Sequence, residues 1–117
     1  MQVRLEHHGL DRRFDPETET GVYRIVQEAL TNVARHSGVD EVTVRLWSTR
    51  DVLGVQVEDH GRGFDVDAVL GNGGGLAGLR ERAVLLNGHL TVETKPGGGV
   101  RLTAEVPVNG SPEGEGE

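Results

Sequence analysis

The sequence predicts an α+β domain, a two-layer sandwich of helices against a sheet. Three observations carry this. Residues 16–37 hold one apolar stripe at helical spacing. Residues 41–59 hold two alternating runs joined by a short polar loop. A second helical pattern follows from Leu76, and then a second pair of alternating runs.

The first run, Val3-Arg4-Leu5-Glu6-His7, alternates and reads as a short strand. Gly9 to Arg13 is a polar connection. Asp15-Pro16 starts the long helix, with Asp15 as N-cap and proline in the first helical position. Glu17 and Glu19 suit the positive end of the helix dipole. Val22, Ile25, Val26, Ala29, Leu30, Val33 and Ala34 form the stripe. Gly21 weakens the second turn by up to about 1 kcal/mol. Arg35 and His36 close the last turn, and Gly38 follows as a C-terminal cap.

In the hairpin, Val42, Val44 and Leu46 alternate with Thr43, Arg45 and Trp47. Leu53, Val55 and Val57 alternate with Gly54, Gln56 and Glu58. A loop over Ser48 to Asp51 pairs Leu46 with Leu53, Val44 with Val55 and Val42 with Val57. Asp59 shares the parity of Val57, so its carboxylate turns toward the buried face. A buried charge is costly without a partner. Trp47 falls on the opposite face, where it covers Gly54.

Phe64 to Leu70 has room for one helical turn. Gly71 to Gly75 (Gly-Asn-Gly-Gly-Gly) suits a mobile loop. The second helix runs from Leu76 to Asn87, with Leu76, Leu79, Ala83 and Leu86 on its apolar side and Gly88 as its stop. Leu90, Val92 and Thr94 line one strand face. Pro96 to Gly99 makes a turn, and Val100, Leu102, Ala104 and Val106 line the returning strand. The domain is expected to span residues 1–107. Residues 108–117, rich in Gly and Glu, are expected to be a disordered acidic tail.

Composition bounds the function. The chain has 117 residues, enough for one core. Aromatics are only 3%, so aliphatic side chains must build that core. Cysteine is absent, which excludes disulfides and thiolate metal sites. No apolar run approaches the roughly 20 residues of a membrane span, and no signal peptide is visible at Met1. A soluble, cytoplasmic domain without membrane contact is the expectation. The net charge is −7, which argues against nucleic acid as a partner, because phosphate backbones need a basic surface.

Three features can converge on one ligand. Glu28 and Asn32 are four apart on the long helix and share a face. An Asn oxygen is a hard ligand that suits Mg²⁺, and a carboxylate one turn earlier can orient a water or accept a proton. A solvated helix edge is the plainer explanation of the same pair. Asp59, turned inward, accepts hydrogen bonds only. Adenine offers an amino group to such an acceptor, whereas guanine presents a carbonyl oxygen. The plainer explanation is an Asp capping its own turn. The glycine run before Leu76 leads into a helix N-terminus, whose free amides make a phosphate site. A plain flexible loop explains it equally if it stands alone. The Gly-Lys-Ser/Thr of a P-loop is absent, and no His-Glu-x-x-His zinc spacing occurs among the five histidines.

The order of these motifs resembles a known family. Tyr23-Arg24-Ile25-Val26-Gln27-Glu28-Ala29-Leu30-Thr31-Asn32-Val33-Ala34-Arg35-His36 resembles the N box of two-component sensor histidine kinases. Asp59-His60-Gly61-Arg62-Gly63-Phe64 resembles their G1 box. Gly73-Gly74-Gly75-Leu76-Ala77-Gly78-Leu79-Arg80-Glu81-Arg82 resembles their G2 box. Pro96-Gly97-Gly98-Gly99-Val100 and Val106-Pro107 resemble the closing hairpin. Together they are similar to the short-lid subfamily that lacks an F box.

The resemblance implies the Bergerat fold of the GHKL ATPases, a mixed, mostly antiparallel sheet with helices packed on one face. It implies ATP and Mg²⁺ as cofactors. Asn32 would ligate Mg²⁺, and Glu28 would assist phosphoryl transfer. Asp59 would hold the adenine amino group, with Gly61 and Gly63 against the base. Gly73 and Gly75 would line the lid, amides from Leu76 and Ala77 would meet the phosphates, and Arg35 and His36 would lie near the phosphate end. The sequence departs from the family pattern at Val100, where Thr is usual, and at Gly74, where the subfamily often has His.

The helical hairpin that carries the family's phosphoacceptor histidine has no counterpart here. The implied reaction is therefore transfer to a histidine on a separate dimerisation domain of the same kinase, with a response regulator downstream. The fragment itself is expected to be monomeric and not to phosphorylate itself; the parent kinase is expected to be dimeric. Two other readings share the motifs: a serine kinase of the anti-sigma-factor type, and a non-catalytic module gated by nucleotide and using an exposed Trp47. The Arg80-Glu81-Arg82 run favours the histidine-kinase subfamily.

Overall fold

The computed structural model describes residues 2–10, 13–36, 41–59, 75–95 and 99–108. The expected turn over Phe64 to Leu70, the Gly38 cap, the glycine loop up to residue 74 and the acidic tail after Val108 lie outside these residues. Seven elements follow in order: β1 (Gln2–His8), α1 (Pro16–His36), β2 (Glu41–Ser48), β3 (Val52–Asp59), α2 (Gly75–Leu85), β4 (His89–Lys95) and β5 (Gly99–Pro107). The strands form one sheet in the order β1-β2-β3-β5-β4. β1 lies parallel to β2, and every other pair is antiparallel. The sheet is therefore mixed and mostly antiparallel.

One face of this sheet makes the core. Val42 and Val44 of β2, Leu53, Val55 and Val57 of β3, and Val100, Leu102, Ala104 and Val106 of β5 are buried with one parity. Val22, Ile25, Ala29 and Val33 of α1 and Leu79 and Ala83 of α2 pack into the same cluster, so both helices cover that face. β1 is an edge strand. Val3 and Leu5 pair with Val42 and Val44 and so share the core parity, yet they remain 48% and 59% exposed.

α1 begins as expected. The Asp15 carbonyl accepts the first helical bond from the Glu19 amide at 2.9 Å, and Glu19 Oε2 accepts from the Phe14 amide at 3.2 Å. The end of α2 differs from expectation. The helix stops at Leu85, and Asn87 takes the left-handed conformation at φ 65°. The Gly88 amide bonds to the Ala83 carbonyl and the Asn87 amide to the Val84 carbonyl, both at 2.8 Å. This is a Schellman cap with Asn87, not Gly88, in the αL position. Gly88 serves a different purpose, because a Cβ there would run into the Glu105 carbonyl oxygen of β5. Backbone cannot swing aside as a side chain can. Gly88→Ala is expected to lower stability by about 1–3 kcal/mol, seen as a lower urea midpoint at unchanged slope.

The hairpin register also differs. Val42 pairs with Asp59, Val44 with Val57, Leu46 with Val55 and Trp47 with Gly54. The loop is two residues shorter than expected, closed by the Thr49 amide donating to the Val52 carbonyl at 2.9 Å. The Thr49 hydroxyl accepts from the Asp51 and Val52 amides at 3.4 and 3.2 Å and holds the turn tight. Each partner moves by two residues, so parity survives and Asp59 still faces inward. Trp47 is half-buried rather than exposed: its indole lies on Gly54, where any Cβ would overlap the ring.

The outer face of the sheet is polar. Arg45 reaches Glu6 at 3.0 Å and Glu58 at 2.7 Å; Arg101 reaches Glu58 at 3.0 Å and Glu93 at 3.4 Å. The row Glu6, Arg45, Glu58, Arg101, Glu93 takes one residue from each strand in spatial order. Burial pushes the Glu58 carboxyl up, but hydrogen bonds from Arg45 and Arg101 outweigh it and hold Glu58 below the usual carboxylate range. A depressed carboxyl adds stability above its unfolded pKa, and that stability is lost as pH falls through the folded value. Glu58→Gln is therefore expected to cost about 1 kcal/mol near neutral pH. In thermal melts the gap between the two proteins should close below about pH 4.

The described chain runs to Val108, one residue past the expected domain limit. The Val108 amide bonds to the Asp51 carbonyl at 2.9 Å, and its side chain packs against the core. Among the described residues, no helix is long and apolar enough to cross a membrane.

Candidate functional site

The sheet and helices have two distinct ends. At one end lie the start of α1, the end of α2, the 49–51 turn and Val108. A cleft of about 660 Å³ opens there, lined by Phe14, Asp15, Leu85, Asn87 and Val108 among others. None of the candidate site residues lines it. At the other end, α1 finishes at His36 and β2 begins at Glu41, with only four residues between them. β3 ends there at Asp59, and β5 begins there at Gly99.

Asp59 is 1% exposed. It sits between its two cross-strand partners, Val42 of β2 and Val100 of β5, on the helix-covered face. Val100, where the family usually has Thr, is itself buried directly opposite the carboxylate. A hydroxyl at this position would lie beside Asp59; the valine supplies only apolar surface.

Asn32 is 3% exposed on α1, one turn beyond Glu28 and next to the fully buried Val33. Among the described residues its Nδ2 has no hydrogen-bond partner. An unpaired buried amide costs about 1–3 kcal/mol, so this side chain calls for a partner. The two ends of a carboxamide are nearly identical in shape, and turning it over presents the oxygen instead. A buried, unsatisfied amide with a hard oxygen fits a divalent cation carrying waters and phosphate oxygens.

The two helices run antiparallel. Gly21 lies against Leu86, where a Cβ would be 2.6 Å from Cδ1, and Gly78 lies beside Glu28 Oε1. Both helices rise equally per residue, so this register brings Asn32 about level with Gly75, the first residue of α2. Gly75, Leu76 and Ala77 form that first turn, which carries no acidic side chain. Their amides belong to the set a helix leaves unpaired at its N-terminus.

Glu28 is placed differently from a free acid or base. Its Oε2 accepts a 2.7 Å hydrogen bond from Arg82 Nε, an ion pair about one-third exposed on both sides. Arg82 is thus the partner of a candidate site residue, although the sequence marks it only through the Arg80-Glu81-Arg82 run. Glu28 flanks the stripe of Ile25 and Ala29, and Arg82 flanks Leu79 and Ala83; opposite charges beside two facing stripes were the available signal. Arg35 and His36 end α1, with side chains outside the described residues, as are Gly61, Gly63 and Gly73. The structure thus brings Asp59, Asn32, Glu28 and the α2 N-terminus to one end of the molecule.

Comparison with known proteins gives the same picture. Residues 17–110 match the family model described as histidine kinase-, DNA gyrase B-, and HSP90-like ATPase. The histidine kinase domain of the blue-light activated histidine kinase EL346 from Erythrobacter litoralis superposes with a TM-score of 0.69 at 28% identity, covering 91% of this chain and 55% of that one. A longer structure of the same Erythrobacter kinase gives a TM-score of 0.72 at 28% identity, covering 94% of this chain and 36% of that one. The chain spans only about half, or a third, of those proteins. Its fold is that of these kinase domains, and the family match covers the long helix from Glu17, strands β2 to β5 and the second helix. The chain belongs to the histidine kinase-, DNA gyrase B- and HSP90-like ATPase family, whose members bind ATP.

Proposed function

We propose that this chain is the catalytic domain of a sensor histidine kinase, which binds Mg-ATP and passes the γ-phosphoryl group to a histidine on a separate dimerisation domain. The observation that carries this reading is the meeting, at one end of the sheet, of a buried inward carboxylate, a buried amide without a partner among the described residues and a helix N-terminus. Asp59 accepts the adenine amino group. Asn32 holds the metal ion, which when bound would neutralise charge on the phosphates. Amides of Gly75, Leu76 and Ala77 face the phosphate chain, and Arg35 and His36 lie toward the same end. Catalysis then consists of positioning and charge stabilisation rather than covalent chemistry. The acceptor histidine and the response regulator that discharges it belong to other domains.

Calorimetry with the purified chain tests the binding part. ATP is expected to bind and GTP to bind at least about tenfold more weakly, because the carboxylate opposes the guanine carbonyl. Chelating Mg²⁺ is expected to weaken ATP. Absence of any adenine-nucleotide binding by the wild type overturns the reading.

A further inference from the structure

Glu28 lies one helical turn before Asn32, about 6 Å along α1. Its carboxylate leans onto α2: Oε2 is held by Arg82 at 2.7 Å, and Oε1 lies 3.5 Å from where a Cβ on Gly78 would stand. A triphosphate held between Asn32 and the first turn of α2 thus has an acidic side chain within several ångströms. Left bare, that charge repels the terminal phosphate. Two negative charges on the phosphate, about 7 Å away in a partly wet cleft, correspond to a loss of ATP affinity on the order of tenfold.

We propose that Arg82 is a charge-compensating and positioning residue of the nucleotide site: it pins the Glu28 carboxylate against α2 and cancels its charge, so that the terminal phosphate of ATP can be held beside Asn32. This rests on the ATP site proposed above. The Gly78–Arg82 spacing suits the task, since residues four apart lie on one face of α2: Gly78 leaves room for one carboxylate oxygen and Arg82 donates to the other. A partly exposed ion pair adds little to folding. Its effect is therefore expected in ligand affinity and not in thermal stability.

The test measures ATP and ADP affinity by calorimetry for the whole chain with Mg²⁺, in four proteins: wild type, Arg82→Gln, Arg82→Lys and the double variant Glu28→Gln/Arg82→Gln. Arg82→Gln is expected to weaken ATP on the order of tenfold and ADP no more than about threefold, because ADP lacks the phosphate nearest the bared charge. Arg82→Lys keeps the charge and is expected to stay within about threefold of wild type. The double variant, with no charge left to repel phosphate, is expected to recover ATP binding to within about threefold. Wild-type affinity in Arg82→Gln overturns the proposal alone. A double variant as weak as Arg82→Gln also overturns it, since the loss would then come from damaged helix packing. A wild type that binds no ATP overturns the site itself, and this proposal with it.

Discussion

Asp59→Asn is expected to weaken ATP binding by roughly ten- to hundredfold. A hydrogen bond to a charged acceptor is worth about 1.5–3 kcal/mol, and the neutral amide gives up that charge. The amide also puts an NH₂ where the carboxylate had only acceptors. The discrimination against GTP is expected to shrink, since guanine's carbonyl meets a donor instead of a second acceptor. Calorimetry with both nucleotides reads both effects. If ATP affinity stays at the wild-type value, Asp59 does not hold the base.

Asn32→Ala is expected to remove the metal dependence of ATP binding. In the wild type, chelation should weaken ATP on the order of tenfold, the size of a lost contact between charged groups. In the variant, ATP affinity should already sit at the chelated level, and chelation should change nothing further. The folding balance is expected to stay within about 1 kcal/mol. Truncating a buried side chain leaves a cavity, but it also removes an amide nitrogen with no partner among the described residues. A variant that keeps the full Mg²⁺ response would show that the metal is held elsewhere.

Much of this site was legible because it depends on parity and periodicity. Asp59 faces inward whether Val57 pairs with Val42 or with Val44, since a register shift of two residues returns every side chain to the same face. Asn32 was legible only as a polar residue beside the stripe, where a solvated edge was the plainer expectation; it is in fact buried, at 3% exposure. Relations between elements were not legible. The pairing of Glu28 with Arg82 depends on the antiparallel placement of two helices separated by 38 residues of chain. The cap at Asn87 was assigned to Gly88 because glycine is the usual αL residue. Here the glycine is needed one place later, where β5 backbone passes too close for a Cβ, and Asn tolerates the positive φ. The row from Glu6 to Glu93 requires β5 to lie between β3 and β4, an order that local patterns do not specify.

That row of charges also gives the domain a front and a back. Every strand contributes an ionised side chain to it, from Glu6 at one edge to Glu93 at the other. A neighbouring domain laid flat on this surface would strip water from five charges at once, a penalty that apolar contact cannot easily repay. Apolar approach is left to other surfaces: the helix layer, where Tyr23, Val84 and Leu85 stand exposed, and the open edge at β1, where Val3 and Leu5 do. The same ion pairs that link the strands side by side make flat apolar docking on the sheet's outer face costly.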